Sequence, residues 1–206
     1  MEETASSPCI AVCHMEAGKR GLKRGLESRK RTVILMLDET IVTEPPPLSQ
    51  AYSHVGFQAR VPISGVRRTK RIIHGAINVA TGDIALLITK EWNQITHQDF
   101  LGHLRSRWRG WHIVLFEDRG SPHTTEETRT LAIQLGIEIR LLPVSTPELN
   151  PMDHLWRHAK RQAVANRAMP SGDGPALRIC RYIIGLSPKA RLRQAGILSG
   201  AFWLTT

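Results

Sequence analysis

Residues 32–40 read TVILMLDET, and the run from Val33 to Leu37 is apolar without interruption before it stops on Asp38 and Glu39. An apolar run of that length without polar alternation suits a strand buried on both faces, and the pair of acids suits its emergence at a sheet edge. The same arrangement returns in WHIVLFED (111–118), where a second apolar run ends on Asp118. Between the two, RIIHGAINVATGDIALLIT (71–89) predicts a β-hairpin, with its turn over Thr81 to Asp83 and Gly82 supplying the permissive backbone. IEIRLLP (137–143) predicts a further short strand.

Helical signals fall between and after these strands. In ITHQDFLGHLRSRW (95–108), Thr96 can cap a helix that carries Phe100, Leu101, Leu104 and Trp108 on one side and ends near Gly110. Gly120 and Pro122 make a turn after Asp118. Thr124 to Glu127 offers a cap and an acidic first turn for a helix reaching Leu135, with Gly136 as its stop. In PELNPMDHLWRHAKRQAVANR (147–167), Asn150 is an N-cap, Pro151 takes the first helical position and Asp153 lies in the first turn, which predicts a helix to about Arg167. Two shorter helices follow the breaker at 170–175, over Ala176 to Leu186 and Pro188 to Ala195, the second capped by Ser187 and stopped by Gly196. The element order is that of an α/β domain, a mixed sheet flanked by helices. We divide the chain into a basic arm or linker over 1–31, an α/β domain over 32–168 and a helical extension of that domain over 169–206.

Composition narrows the function classes. The 206 residues are 41% hydrophobic, enough for a real core, yet 28 Lys and Arg outnumber 18 Asp and Glu to give a net charge of +10. That balance points to a polyanionic partner, and nucleic acid is the natural one. No apolar run approaches the roughly 18 residues that span a bilayer, and the acidic start MEETASSP is no secretory signal, so a cytoplasmic protein without membrane contact is expected. Cys9, Cys13 and Cys180 do not form a disulfide framework, which agrees with a reducing compartment. Cys9, Cys13 and His14 lack a fourth ligand at zinc spacing.

The chemistry rests on Asp38 and Asp118 at strand ends and Asp153 at a helix start. Singly, each has a structural explanation: a solvated strand end, a turn residue, an acid favoured by the helix dipole. Together they offer the hard oxygen ligands that two divalent cations about 3.5 to 4 Å apart require, with Asp38 as the natural bridge. Glu39 and Glu117 adjoin two of these acids, but strand alternation sends neighbours to opposite faces, so both are expected to lie behind the site or in solvent. Trp156, one turn after Asp153, is expected as a packing anchor. Arg157, Lys160 and Arg161 on the late helix, and Arg67, Arg68, Lys70 and Arg71 before the hairpin, are expected to meet phosphates in a salt-sensitive, sequence-independent way.

LMLDET, VLFEDRGSPH and LPVSTPELNPMDHLW, in this order, resemble the three carboxylate segments of the mariner-superfamily DDE/D transposases, particularly the bacterial insertion-sequence branch. The 34 residues from 119 to 152 that separate Asp118 from Asp153 are the spacing characteristic of that family, and the tail YIIGLSPKARLRQAGILSGAFWL resembles its ending. The resemblance implies a ribonuclease H-like fold over residues 32 to 206, metal binding by Asp38, Asp118 and Asp153 through two Mg²⁺ or Mn²⁺ ions, and cleavage and strand transfer at the ends of a mobile DNA element. It also implies that His123 matches the family's histidine after the second acid, orienting the site or meeting a phosphate. Two departures stand out. Bacterial relatives usually carry Glu where this chain has Asp153, while animal mariners commonly use Asp. Relatives also carry helix-turn-helix modules, and residues 1–37 cannot hold two of them. The expectation is that a separate polypeptide or a frameshift fusion supplies recognition. A catalytically inactive DNA-binding remnant and, more distantly, a ribonuclease H-like nuclease stay open, as does a homodimer.

Overall fold

A computed structural model of the chain describes residues 31–57, 60–61, 69–144, 146–169 and 172–204. The basic arm, apart from Arg31, and the basic pair Arg67 and Arg68 lie outside the described residues, as do Cys9, Cys13 and His14.

One five-stranded sheet carries β1 (Thr32–Thr43), β2 (Lys70–Asn78), β3 (Ile84–Thr89), β4 (His112–Glu117) and β5 (Ile137–Leu141), in the order β3-β2-β1-β4-β5. The hairpin β2–β3 and the pair β1–β2 are antiparallel, whereas β1–β4 and β4–β5 are parallel, so the sheet is mixed. Gly82 takes φ 75° at the hairpin turn, the conformation expected of it.

β1 does not end at Asp38. Its parallel pairing with β4 stops at Met36↔Phe116, while its antiparallel pairing with β2 continues through Asp38↔Gly75 to Thr43↔Lys70. The apolar run therefore marks where β1 has neighbours on both edges, and Asp38 stands where β4 falls away and only β2 remains paired. A crevice opens there, beyond the carboxyl ends of two parallel strands, the usual location for a site in such sheets.

Alternation along the strands separates two cores. Val33, Leu35 and Leu37 pack with Ile113 and Leu115 against Phe100, Leu101 and Leu104 of α1 (Gln94–Arg107) and Ala132 of α3 (Glu126–Gln134). Met36, Val114 and Phe116 face the other side, where α4 (Pro151–Ala163), α5 (Gly174–Gly185) and α6 (Pro188–Gln194) contribute Met152, Trp156, Ile179, Ile183 and Leu192. A four-residue helix, α2 (Ser121–Thr124), follows β4.

Helix boundaries differ from expectation in three places. α1 is capped by Asn93, with Thr96 as the reciprocal member of a capping box. α4 stops at Ala163 because the chain then turns to hold the proline-rich segment: Asn166, at φ 56°, donates its backbone N–H to Pro47 O at 3.1 Å and its Nδ2 to Ser49 O at 2.8 Å. α5 begins at Gly174, with Pro175 inside its first turn.

Candidate active site

Asp38, Asp118 and Asp153 line one cleft of about 460 Å³, together with Arg119, Gly120, Leu142, Pro143 and Asn150. Each acid arrives by a different route. Asp38 lies on β1 with its side chain on the α4 face, and Asp118 is the first residue past β4. Asp153 sits in the first turn of α4, whose placement depends on Asn150. That side chain accepts from Met152 N at 3.1 Å, capping the helix, and donates Nδ2 to Leu37 O at 2.8 Å, one residue before Asp38. One buried amide thus caps α4 and ties it to β1. Trp203 secures the approach by donating Nε1 to Leu149 O at 2.8 Å.

Gly75, the register partner of Asp38, lets the helix close on the sheet. A Cβ there would meet Trp156 Cζ2 at 2.5 Å and Met152 Cε at 2.7 Å, distances that real atoms do not sustain. Trp156 is thus the packing anchor that the sequence predicts, and its contact with bare backbone brings Asp153 toward Asp38.

Crowding makes the cleft electrostatically suited to cations. Burial, reinforced by the like charges of Glu39, Asp118 and Asp153, pushes Asp38 up to about 8 from 3.8. Three carboxylates without a sulfur ligand in one cleft are the hard oxygen set that Mg²⁺ or Mn²⁺ prefers. Asp118 is held below the usual range, first by a hydrogen bond from His123 and also by one from the Gly120 N–H, which overcome partial burial. Asp153 accepts from Arg157 Nη2 at 2.6 Å along its own helix.

Behind the sheet, on the α1 face, lies a cluster that sequence reasoning missed. Glu39 and Glu117 do point away from the cleft, as alternation requires, but they are not solvated: Glu117 is 0% exposed. Glu39 Oε1 lies 3.2 Å from His74 Nδ1, 3.6 Å from His97 Nδ1 and 3.1 Å from His123 Nε2, and His97 Nε2 faces Glu117 Oε2 at 3.4 Å. Burial alone would raise Glu39, but hydrogen bonds from His123 and His74, with His97 close by, hold it well below the usual range. Glu117, facing no such set, is pushed by burial up to about 8. His97 is lowered by burial, while His123, although burial opposes it, is raised far above the imidazole range by Asp118 and Glu39. Glu39, His97 and His123 also present donor atoms within 4.8 Å of one another. The available signal was helical and strand phase: His74 shares a sheet face with Glu39, and His97 lies one turn before Leu101 on the inward side of α1.

Of the two roles expected of His123, its surroundings favour orienting the site over meeting a phosphate: it is 1% exposed, and its nitrogens face Asp118 Oδ1 at 2.7 Å and Glu39 Oε1 at 3.1 Å. Arg71 is engaged by Asp173 and Lys70 is exposed at the start of β2. Arg157 and Arg161 are exposed on α4, and Lys160 is half-buried, lowered by burial against the opposing pull of Asp153 and Asp38.

A family model described as DDE superfamily endonuclease matches residues 33–174. An uncharacterized protein of Sinorhizobium fredii, y4pE/y4sA, is 28% identical over 109 residues, 52% of this chain and 78% of that protein. The Mos1 transposase in a paired-end complex with the left transposon end superposes with a TM-score of 0.70 at 15% identity, covering 99% of this chain and 66% of that one. The catalytic domain of Mos1 mariner transposase superposes with a TM-score of 0.63 at 15% identity, over 98% of this chain and 94% of that domain. The Mos1 paired-end complex with Mg gives 0.69 at 18% identity, over 98% and 63%. The chain thus spans just under two thirds of the Mos1 chains in those DNA complexes and nearly all of the isolated domain. The mixed five-stranded sheet with flanking helices is the ribonuclease H-like fold of these structures.

Proposed function

Since the chain belongs to the DDE superfamily endonuclease family, we propose that it is a transposase catalytic domain that cleaves DNA at the ends of a mobile element and transfers the freed strand. The supporting observation is the convergence of Asp38, Asp118 and Asp153 on one cleft from two strands and a helix. We assign all three as metal ligands and take residues 32–168 with the helical extension over 169–206 as one domain. The arm over 1–31 and a helix-turn-helix partner or fusion complete the proposed organisation.

The residues divide the work. Asp38 would hold a pair of divalent ions, Mg²⁺ or Mn²⁺, together with Asp118 and Asp153. Bound there, such ions would activate the attacking water or 3′-hydroxyl and stabilise the leaving oxygen of an in-line displacement. Asp118 presents its carboxylate from a turn held by Gly120 and His123. Asp153, paired with Arg157 in the metal-free chain, would be the third ligand, and Arg157, Lys160 and Arg161 on the same helix are proposed to meet the DNA backbone. These contacts with Lys70 carry no base readout. Arg67 and Arg68 keep the phosphate-binding role assigned from their charge. The Mos1 structures with DNA and with Mg or Mn accord with duplex DNA and divalent metal as partners.

The test is strand cleavage of duplex DNA in Mg²⁺ or Mn²⁺ by purified Asp38→Asn and Asp118→Asn proteins. Losing several kcal/mol of charge stabilisation lowers the rate by about a thousandfold or more while the far-UV circular dichroism stays unchanged. Undiminished cleavage by Asp38→Asn removes the assignment.

A further inference from the structure

We infer that the buried cluster of Glu39, His97, Glu117 and His123 is a positioning device that reaches through the sheet to orient Asp118 for metal binding; this rests on the reading of Asp118 as a ligand.

Asp118 needs such a device. It lies one residue past the end of β4, where no ladder restrains it, and its side chain is 58% exposed. Both of its described carboxylate contacts fall on Oδ1: the Gly120 N–H at 2.8 Å and His123 Nδ1 at 2.7 Å. Neither of these contacts uses Oδ2. Space around this contact is tight, since a Cβ on Gly120 would lie 3.1 Å from Asp118 Oδ1 and 3.3 Å from His123 Nδ1.

His123 is in turn held from behind. Its Nε2 faces Glu39 Oε1 at 3.1 Å, so the imidazole spans two carboxylates, one in each layer of the molecule. A ring that donates to both keeps both N–H groups satisfied and fixes the direction from which Asp118 Oδ1 is held. His74 and His97 converge on the same oxygen of Glu39, and His97 is backed by Glu117. Neither ring nitrogen of His97 and neither oxygen of Glu117 has a well-formed hydrogen bond, although all four are buried. Buried polar groups without a well-formed hydrogen bond are costly, and these two form the far end of a chain that terminates at the cleft. Along the chain from Asp118 to Glu117 the first two steps, 2.7 and 3.1 Å, are within hydrogen-bond spacing, and the last two, 3.6 Å from Glu39 to His97 and 3.4 Å from His97 to Glu117, are looser.

Partners behind a metal ligand typically change metal affinity by about 10–100-fold. Glu39→Gln keeps the shape and removes the charge that holds His123. Mn²⁺ binding to the DNA-free protein, followed by electron paramagnetic resonance and calorimetry, is expected to weaken by about tenfold or more. The Mg²⁺ concentration for half-maximal cleavage rises in parallel, and cleavage at saturating metal recovers to near the wild-type rate. A merely structural role would lower the melting temperature and leave metal affinity of the folded protein unchanged. Folded Glu39→Gln that binds Mn²⁺ as wild type overturns the inference. Asp38→Asn is the control: if it too binds as wild type, the reading of the cleft as the metal site fails, whereas loss in Asp38→Asn alone removes only the positioning role. His123→Gln, which keeps a donor but not the charge, is expected to reproduce the effect, and substitutes should Glu39→Gln not fold. An ion that copurifies with wild type and is lost in His97→Ala also overturns the inference, since Glu39, His97 and His123 would then be ligands themselves.

Discussion

Asp38 shows how a single side chain couples stability to pH in this protein. Its carboxyl rises from 3.8 to about 8 in the folded chain, so it binds its proton more tightly folded than unfolded. Stability from this group is fully present below about pH 4 and is lost as pH rises toward 8. The metal-free protein should therefore melt lower at pH 8 than at pH 6, and Asp38→Asn should reduce that difference; Glu117, shifted in the same direction, leaves part of it in place. Thermal melts in chelator at the two pH values check this, and added Mg²⁺ should raise the melting temperature of wild type at pH 8 but not that of Asp38→Asn. An equal pH dependence in both proteins would contradict the account. Arg157 tests the other end of the cleft. Its pair with Asp153 joins side chains 69% and 42% exposed, so it contributes no more than about 0.5 kcal/mol. Arg157→Ala should then tighten divalent-metal binding about twofold while weakening DNA binding, a combination that calorimetry and filter binding separate.

At the scale of elements, the deciding contact is α4 on β2 at Gly75. An added methyl group would overlap Trp156 and Met152, so Gly75→Ala should destabilise by about 1–3 kcal/mol and displace the helix start. Asp153 rides on that start and has a short side chain. Gly75→Ala should therefore weaken Mn²⁺ binding, and Gly75→Ala combined with Asp153→Glu should recover part of it, because the longer acid spans the added gap. Failure of the double variant to bind better than Gly75→Ala would show that α4 does not move as a unit. Elements of this kind were largely legible beforehand: apolar runs marked β1 and β4, Gly82 marked the hairpin, and Asn150 with Pro151 marked the start of α4. The errors have local causes. β1 runs past Asp38 because antiparallel pairing with β2 tolerates acids on one open edge, and α4 ends early because Asn166 binds Pro47 and Ser49 instead of continuing the helix. Neither partner could be named before the chain was folded.

For the molecule as a whole, the net charge of +10 acts at long range and predicts a steep salt dependence of DNA binding. If Lys70, Arg157, Lys160 and Arg161 each neutralise one phosphate, affinity should fall about a hundredfold between roughly 50 and 200 mM salt, and the slope should lose about one unit for each of these residues removed. A slope near zero would exclude this surface as the DNA-binding face. Charge, strand and helix periodicity, and the three acids with their spacing were determined by the sequence itself, because they depend on residue type and near neighbours along the chain. The tertiary structure alone decided that Glu39 and Glu117 are buried with three histidines, that His123 is buried between two carboxylates, and that Gly75 admits Trp156. These depend on which surfaces meet between segments distant in the chain, 35 residues apart for His74 with Glu39 and 84 for His123 with Glu39. Periodicity says which face a side chain takes, but only packing says what waits there.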